Sequence, residues 1–296
     1  MLNGKIAVIT GASSGIGAAL ARLVAGEGAS VVLAARRKDK LDKVASEISA
    51  SLPARSNSVL AVECDVTDRN QAEDLIARSI SAYGRLDILV NNAGRGHLAN
   101  VEETTDEVIE SMFRVNAFAL WYTTRPALAQ MRKQGAGHII NVASMAGKLG
   151  YPFNSAYVAA KHACVGFTAA LRMELAETGI HASVVCPGGV LTDWATSTEG
   201  GPMLPLFSAS GPIVKKIAAE RGIALPPIEG VIPPERVAEK ILACIYHPVP
   251  EVYTHKGSEE FLMLAARDRS AAERQQLPVV LGEREAYAKL VKGSRE

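Results

Sequence analysis

Three side chains that can move protons lie within one short stretch of the chain. In the segment SMAGKLGYPFNSAYVAAK, Ser144 is followed thirteen residues later by Tyr157 and four residues after that by Lys161. The apolar run HIINVA before Ser144 is typical of a buried strand, and the alanine-rich residues around Tyr157 predict a helix. A four-residue separation puts Tyr157 and Lys161 on one helical face. A phenol and an ammonium that face a hydroxyl at a strand end therefore predict a proton-donating site.

The composition excludes several classes of protein. The 296 residues are 48% hydrophobic and carry a net charge of +1, which suits one large α/β domain and provides no basic excess for nucleic acid. The N-terminal residues lack the basic and long apolar regions of a signal peptide, and no apolar run is long enough to span a membrane. Four cysteines without metal-ligand spacing predict reduced, buried thiols and no metal site. We therefore expect a cytoplasmic protein that binds neither nucleic acid nor membrane.

Strand and helix patterns alternate along most of the chain. Apolar runs of strand length occupy residues 5–10, 30–35, 58–64, 86–91, 137–143, 181–186 and 251–254. Near-continuous apolar strands that alternate with helices predict a parallel sheet covered on both faces. With right-handed crossovers, this pattern predicts a doubly wound α/β fold in a single domain.

The chain changes character after the sixth of these runs. Residues 188–234 are rich in glycine and proline, which predicts a long excursion over the sheet edge with one short helix near residues 213–221. Residues 257–296 are charged and helix-prone. We expect them to form a helical extension, with at least one helix docked on or near the same domain.

The first strand leads into a glycine-rich turn, TGASSGIG, at residues 10–17. Glycines at this point let the backbone approach a pyrophosphate, and the N–H groups of the following helix point at it. The alternative is a tight turn that binds nothing. Because the motif joins a strand to a helix at the start of a βαβ unit, we expect it to bind a dinucleotide cofactor.

The residues after the second strand indicate which dinucleotide binds. An acidic residue there favours NAD, whereas an arginine accommodates the additional phosphate of NADP. The chain has Ala35, Arg36 and Arg37 at this point and no acidic residue before Asp39. A guanidinium forms paired hydrogen bonds with phosphate, so we expect NADP(H) rather than NAD(H), with Arg36 as the better candidate. The alternative is that both arginines are solvated charges at the start of a helix.

Further polar residues follow the third and fourth strands and interrupt a helix. Asp65-Val66 and the NNAG motif at residues 91–94 stand at strand ends, where ligands bind in open α/β sheets. Asp, Asn and Gly are also common in turns without a ligand. Asn116 interrupts the apolar segment FRVNAFALW, where asparagine is unfavourable in a helix. Asn116 is therefore either a hydrogen-bonded core residue or part of a site.

Together these motifs resemble the short-chain dehydrogenase/reductase family. TGASSGIG, NNAG, Asn116, Ser144 and the YVAAK segment occur in the order and spacing of that family. Pro187 and Gly188, with Thr192 four residues after the glycine, complete the set. The resemblance is specific because six motifs agree together.

The resemblance covers about residues 3–255 and implies a Rossmann-type, seven-stranded sheet with helices on both faces. It implies a dinucleotide-binding catalytic domain over residues 1–256. The presence of Arg36 with no acidic residue before it is similar to the pattern of the NADP-preferring branch of the family. The excursion at residues 188–234 and the extension at residues 257–296 depart from the shortest members of the family.

The resemblance also implies roles for individual residues. Tyr157 is expected to act as the general acid in reduction and the base in oxidation, with a pKa lowered by the Lys161 ammonium and by the charge of the oxidised nicotinamide. Ser144 is expected to donate to the substrate oxygen, and Asn116 to order a water that links Lys161 to solvent. The implied catalytic tetrad is Asn116, Ser144, Tyr157 and Lys161. The implied cofactor contacts are Gly11, Ser13, Ser14, Gly15, Ile16, Gly17, Arg36, Arg37, Asp65, Val66, Asn92, Ala93, Gly94, Tyr157, Lys161, Pro187, Gly188, Val190 and Thr192.

We therefore expect an oxidoreductase that transfers a hydride between NADP(H) and a small carbonyl compound or secondary alcohol. The family implies a homodimer or homotetramer formed through the helices near residues 106–133 and 155–178. Candidate substrate contacts are Arg95, His97, Lys148, Tyr151 and Trp194, and a candidate apolar lid consists of Met203, Leu204, Leu206 and Phe207. The alternative is that these side chains only pack against the sheet and that Arg95 is a solvated arginine that does not contact a substrate. The alternative function is a catalytically silent NADP(H)-binding sensor or scaffold, with the extension as a contact in an assembly.

Overall fold

Seven parallel strands form one sheet in this computed structural model, which describes residues 1–52, 58–194, 198–200 and 203–293. The strands are β1 (Ile6–Thr10), β2 (Ser30–Ala35), β3 (Val59–Glu63), β4 (Ile88–Asn91), β5 (Gly137–Val142), β6 (Ile180–Cys186) and β7 (Glu251–Tyr253). Their order across the sheet is β3-β2-β1-β4-β5-β6-β7, and all neighbouring pairs are parallel. The predicted Rossmann-type, doubly wound fold is thereby confirmed.

Helices connect the strands and continue past the last one. They are α1 (Gly15–Gly26), α2 (Lys38–Ser51), α3 (Arg69–Tyr83), α4 (Asp106–Phe113), α5 (Ala119–Gln134), α6 (Ser155–Glu174), α7 (Met203–Arg221), α8 (Pro234–Tyr246), α9 (Ser258–Arg267) and α10 (Arg269–Gly293). Among the residues that the structure describes, we find no helix with the length and apolar character needed to cross a membrane.

Apolar side chains cover both faces of the sheet, which explains why its strands are apolar at nearly every position. Leu20 of α1, Leu41 of α2 and Ile241 of α8 lie in one core with β1, β2 and β4. Leu75 of α3 and Met131 of α5 lie in a second core on the opposite face. All five side chains are fully buried. This double burial holds the strand ends, and the loops that follow them, in fixed positions.

Helix α7 is longer than the sequence predicts. The expected short helix near residues 213–221 begins at Met203 instead and continues through Pro212. Packing against α10 explains this difference, because a Cβ at Gly282 would lie 2.5 Å from Val214 Cγ2. Tertiary contacts of this kind override weak local propensity.

The residues after β7 form two helices that pack against the same domain. Phe261 of α9 is 1% exposed and shares an apolar cluster with Leu149 and Cys186. Tyr287 of α10 stacks on Phe153, with ring centroids 4.4 Å apart and planes at 14°. The extension therefore contacts the loop between Ser144 and α6 directly.

Replacing Phe261 with alanine tests how firmly the extension is docked. Phe261→Ala should lower the free energy of unfolding by about 3–5 kcal/mol, because it removes a fully buried aromatic ring. Met263 on the same helix is 55% exposed, so Met263→Ala should change that free energy by no more than about 0.5 kcal/mol. Urea unfolding followed by tryptophan fluorescence measures both variants, and equal effects would contradict the docking.

Candidate active site

A cavity of about 750 Å³ opens at the carboxyl ends of the strands. It lies where the strand order reverses between β1 and β4, which is the usual ligand position in open α/β sheets. Its volume is within the range of about 300–1,000 Å³ typical of small-molecule sites. All of the predicted cofactor contacts except Gly17 line this cavity: Gly11, Ser13, Ser14, Gly15, Ile16, Arg36, Arg37, Asp65, Val66, Asn92, Ala93, Gly94, Tyr157, Lys161, Pro187, Gly188, Val190 and Thr192.

Two glycines allow the close backbone packing of the turn after β1. Gly11 has a φ of +66°, and a Cβ there would lie 2.9 Å from Ala93 Cα. A Cβ at Gly17 would lie 2.4 Å from the carbonyl oxygen of Gly11. Gly17 therefore lies behind the cavity wall and lets α1 approach the strand, while Gly15 and Ile16 line the cavity.

The two arginines after β2 have different partners. Arg37 Nη2 donates to Ser14 Oγ at 2.7 Å and to Ser13 Oγ at 3.2 Å. Arg36 Nη1 lies 3.8 Å from Asp65 Oδ2. The sequence favours Arg36 over Arg37 as the phosphate contact, whereas Arg37 is the arginine that reaches the glycine-rich turn in the structure.

A carboxylate from the loop after β6 lies beside this positive charge. Asp193 Oδ2 is 2.9 Å from Lys40 Nζ and 3.5 Å from Arg37 Nη1. These bridges are largely exposed, so they contribute little stability. They do bring the loop after β6, which includes Thr192, to the start of α2.

Ser144 lies two residues after the end of β5 and caps a short 3-10 turn at residues 145–147. Its hydroxyl donates to the carbonyl oxygen of Pro187 at 3.4 Å and accepts from the N–H of Ala146 at 3.1 Å. The serine is thus held between the ends of β5 and β6, where it lines the cavity.

Tyr157 and Lys161 lie one turn apart on α6 and are 8% and 5% exposed. Lys161 Nζ is 5.7 Å from the centroid of the Tyr157 ring and donates to the carbonyl oxygen of Val142 at 2.9 Å. Burial raises the pKa of Tyr157 above its ordinary value, and a hydrogen bond with Ser144 opposes that rise. Burial lowers the pKa of Lys161. Burial of Tyr157 thus opposes the predicted lowering of its pKa, which depends on the Lys161 ammonium and on the charge of an oxidised nicotinamide and stays a prediction.

Asn116 lies in a single π-helical turn, Arg114–Phe118, between α4 and α5. Its Nδ2 donates to the carbonyl oxygens of Arg95 and Met112, both at 3.0 Å. Among the described residues, its buried Oδ1 has no hydrogen-bond partner. A Cβ at Gly94 would lie 2.8 Å from that Oδ1 and 3.3 Å from Lys161 Nζ. The asparagine oxygen and the lysine ammonium therefore converge over the NNAG motif.

Aromatic and apolar side chains enclose the side of the cavity opposite the glycine-rich turn. Trp194 lies against Tyr157, with ring centroids 5.3 Å apart. Tyr151, Leu206 and Phe207 also line the cavity, in agreement with the expected positions of Tyr151 and of part of the lid. The side chains of Met203 and Leu204 lie outside the described part of the chain.

Two of the candidate substrate contacts, Lys148 and His97, are not among the residues that line this cavity. Lys148 Nζ lies 2.5 Å from Glu251 Oε1 and faces a separate groove beside β7. His97 is 5% exposed and forms an isolated β-bridge with Glu199. Arg95 does line the cavity, but its Nη1 lies 2.5 Å from Glu199 Oε1.

Two residues that support the site escape the sequence motifs. His255, just after β7, accepts from the N–H of Gly188 at 3.1 Å, and its Nε2 lies 2.8 Å from the carbonyl oxygen of Gly189. Glu283 of α10 lines the cavity although it lies far along the chain from every motif. Only the folded chain brings these positions to the site, so no local sequence pattern identifies them.

Known proteins with a similar sequence or structure identify the family. The model of the short chain dehydrogenase family matches residues 5–201. D-beta-hydroxybutyrate dehydrogenase from Rhizobium meliloti (strain 1021) is 40% identical over 189 residues, which cover 64% of this chain and 72% of that protein. This chain therefore belongs to the short-chain dehydrogenase/reductase family of oxidoreductases.

Two solved structures extend the similarity to the fold. A short chain dehydrogenase/reductase from Burkholderia phymatum, in complex with NAD, has a TM-score of 0.76 and 29% identity, covering 90% of this chain and 95% of that one. An alcohol dehydrogenase from the archaeon Thermococcus sibiricus, complexed with 5-hydroxy-NADP, has a TM-score of 0.69 and 26% identity, covering 85% of this chain and 96% of that one. Similar folds thus bind NAD or a derivative of NADP, so the preference of this chain between the two cofactors depends on its own residues.

Adding a methyl group at Gly17 tests the close packing of the glycine-rich turn. Gly17→Ala should lower the free energy of unfolding by about 1–3 kcal/mol, since the new Cβ meets backbone atoms that cannot move aside. Gly26, also in α1, has open space around it, so Gly26→Ala should leave stability unchanged or raise it by up to about 1 kcal/mol. Thermal unfolding compares the two, and a stable Gly17→Ala protein would contradict the packing argument.

Proposed function

We propose that the protein interconverts a carbonyl compound and a secondary alcohol with NADP(H), and that Tyr157 is the proton donor and acceptor. The observation that carries this proposal is the position of Ser144, Tyr157 and Lys161 in the same cavity as the glycine-rich turn. Reduction of a carbonyl by hydride also requires a proton for the oxygen. A hydroxyl, a phenol and an ammonium beside a dinucleotide-binding turn are groups that can supply this proton and stabilise the charges that form. The buried apolar walls suit a mid-sized, fairly apolar substrate.

The residues present fit a nicotinamide dinucleotide. Gly11 and Gly15 line the cavity and have no side chain, so the backbone of the turn can approach a pyrophosphate closely. The unpartnered Oδ1 of Asn116 and the ammonium of Lys161 provide polar groups beside the NNAG motif. When bound, the nicotinamide supplies the hydride for reduction or accepts it in oxidation.

The side chains of this protein would manage the proton. In reduction, Tyr157 donates its phenolic proton to the carbonyl oxygen as the alcohol forms. The raised pKa of Tyr157 keeps this proton in place at neutral pH. Ser144 donates a hydrogen bond to the same oxygen and stabilises the negative charge that develops there. Lys161 stabilises the resulting phenolate. Asn116 Oδ1 accepts a hydrogen bond from a water, and the proton that Tyr157 has lost is replaced through this water.

Removing the phenolic hydroxyl tests the role of Tyr157. Tyr157→Phe should lower turnover by about 10²–10⁴-fold, because a general acid is lost, and should leave the affinity for NADPH unchanged. Tyr246→Phe is the control, since Tyr246 is 37% exposed and bonded to Glu27. Absorbance of NADPH measures turnover on a panel of ketones, and cofactor fluorescence measures binding. Turnover at the unmutated rate in Tyr157→Phe would overturn the assignment.

The preference for NADP(H) over NAD(H) is part of the proposal. Ala35 ends β2 and provides no carboxylate to repel a phosphate at this position. Arg37 and Arg36 follow it and line the cavity, and guanidinium groups bind phosphate through paired hydrogen bonds. Lys40 adds a further positive charge nearby, which Asp193 balances in part.

Single alanine variants of the two arginines test this preference. Arg37→Ala and Arg36→Ala should each raise the KM for NADPH about tenfold or more, equivalent to a loss of about 1.4 kcal/mol, and leave the KM for NADH within twofold. Lys43→Ala on the exposed side of α2 is the control and should change neither value. Steady-state kinetics with both cofactors measures these constants. An unmutated enzyme that prefers NADH would contradict the proposal.

A catalytically silent sensor or scaffold is the competing function. It needs the cofactor cradle but has no need for Ser144, Tyr157 and Lys161 together. Binding of NADPH without turnover across a broad panel of ketones and alcohols would favour it.

The expected homodimer or homotetramer stays a prediction. It is supported by large apolar side chains on the outer helices: Phe118, Trp121 and Met173 are 45%, 36% and 74% exposed. A surface of this kind is typical of an interface between subunits. Sedimentation equilibrium measures the state directly, and a monomer at micromolar concentration would rule it out.

A further inference from the structure

Helix α10 brings a buried carboxyl group to the wall of the active-site cavity. Glu283 is 6% exposed and lines the same cavity as Tyr157. Its carboxyl group forms neither a hydrogen bond nor an ion pair with any other residue in the described part of the chain. A buried polar group without a partner costs stability. Its position at the cavity wall leaves this carboxyl group available to a bound ligand.

The surrounding contacts fix the position of this carboxyl group. Gly282, the preceding residue, packs against Val214 so closely that a Cβ would lie 2.5 Å from Val214 Cγ2. One turn further along α10, Tyr287 stacks on Phe153. Phe153 has a φ of +61°, a strained conformation for a residue with a side chain. Contacts of Gly282 and Tyr287, which precede and follow Glu283 in α10, thus hold this part of the helix in place.

Electrostatic interactions connect the carboxyl group with the proton-donating site. Burial raises the pKa of Glu283 to about 7. Burial, with a contribution from Glu283, raises the pKa of Tyr151 to about 12. The Tyr151 phenol in turn adds to the raised pKa of Tyr157. The three groups therefore lie within electrostatic range of one another along one side of the cavity.

Each of the two arginines on the substrate side of the cavity forms one ion pair in the described part of the chain, while the buried Nε of Arg95 has no hydrogen-bond partner there. Arg95 Nη1 lies 2.5 Å from Glu199 Oε1, and Arg114 Nη2 lies 3.4 Å from Glu110 Oε2. A substrate carboxylate at these arginines would share them with Glu199 and Glu110, and near α10 it would meet the buried carboxyl group of Glu283. A substrate with a positively charged or hydrogen-bond-donating group would find that carboxyl group without a partner.

We propose that Glu283 is a specificity-determining residue that binds an ammonium or hydroxyl group on the arm of the substrate away from the reacting carbonyl. This proposal rests on the proposed function and assigns a substrate class to the same site. It also gives the C-terminal extension a role: α10 completes the substrate side of the cavity.

A series of matched ketones tests the proposal. The series is benzylacetone with a para aminomethyl, hydroxymethyl, methyl or carboxyl group, assayed with NADPH at pH 8. Glu283→Gln keeps the size and removes the charge. Glu285→Gln is the control, since Glu285 lies on the exposed side of α10 and pairs with Lys289.

The unmutated enzyme should have a kcat/KM for the aminomethyl ketone at least tenfold above that for the methyl ketone, and should disfavour the carboxyl ketone. Glu283→Gln should reduce the preference for the aminomethyl ketone over the methyl ketone at least tenfold and improve the carboxyl ketone relative to the methyl ketone. Glu285→Gln should match the unmutated enzyme. A larger effect on the aminomethyl than on the hydroxymethyl ketone identifies the ammonium as the preferred group, and the reverse identifies the hydroxyl.

Turnover of the methyl ketone with an unchanged order of substrates in Glu283→Gln would overturn this proposal and leave the proposed function intact. If no ketone is turned over, the proposed function fails, and ligand binding still tests Glu283. The melting temperature should then rise more with the aminomethyl than with the methyl compound, and Glu283→Gln should remove that difference. Equal shifts in both proteins would overturn the proposal.

Discussion

The contact between the ends of β1 and β4 is the constraint on which the site depends. The hydroxyl of Thr10 accepts from the N–H groups of Asn92 and Ala93, both at 3.0 Å. Asn92 Nδ2 returns hydrogen bonds to the carbonyl oxygens of Thr10 and Gly11 at 3.0 and 3.3 Å. These bonds hold the glycine-rich turn against the NNAG motif at the point where the strand order reverses. The proposed cofactor and substrate positions share one opening because these two loops are fixed together.

A buried polar network continues this constraint toward α6. Asn91 Nδ2 donates to Asn141 Oδ1 at 2.8 Å, and Asn141 Nδ2 donates to Thr168 Oγ1 at 2.9 Å. Thr123 of α5 donates to Asn91 Oδ1 at 2.7 Å. Fully satisfied networks of this kind specify one arrangement of a core. They fix β4, β5 and α6 relative to one another, and therefore fix the distance between the serine and the tyrosine.

Local patterns predicted the sheet and the positions of Ser144, Tyr157 and Lys161 at the cavity because both are encoded over short distances. Each strand is an apolar run with its own boundaries, and Tyr157 and Lys161 share one helical face. Residues that act through distant contacts could not be predicted in this way. His255 and Glu283 reach the site only because β7 and α10 pack there, and the length of α7 depends on its packing against α10. The Tyr157 pKa likewise depends on burial, which no spacing of residues reveals.

Transfer of deuterium from NADPH to product tests the central claim most directly. NADPH labelled with deuterium at the transferring position of the nicotinamide is incubated with the protein and a ketone that it accepts, and the alcohol is analysed by mass spectrometry and NMR. Hydride transfer predicts one deuterium on the carbinol carbon for each NADPH consumed, while the hydroxyl proton comes from solvent through Tyr157. Binding of the labelled cofactor without deuterium in any product, across a broad panel of ketones, would contradict the account.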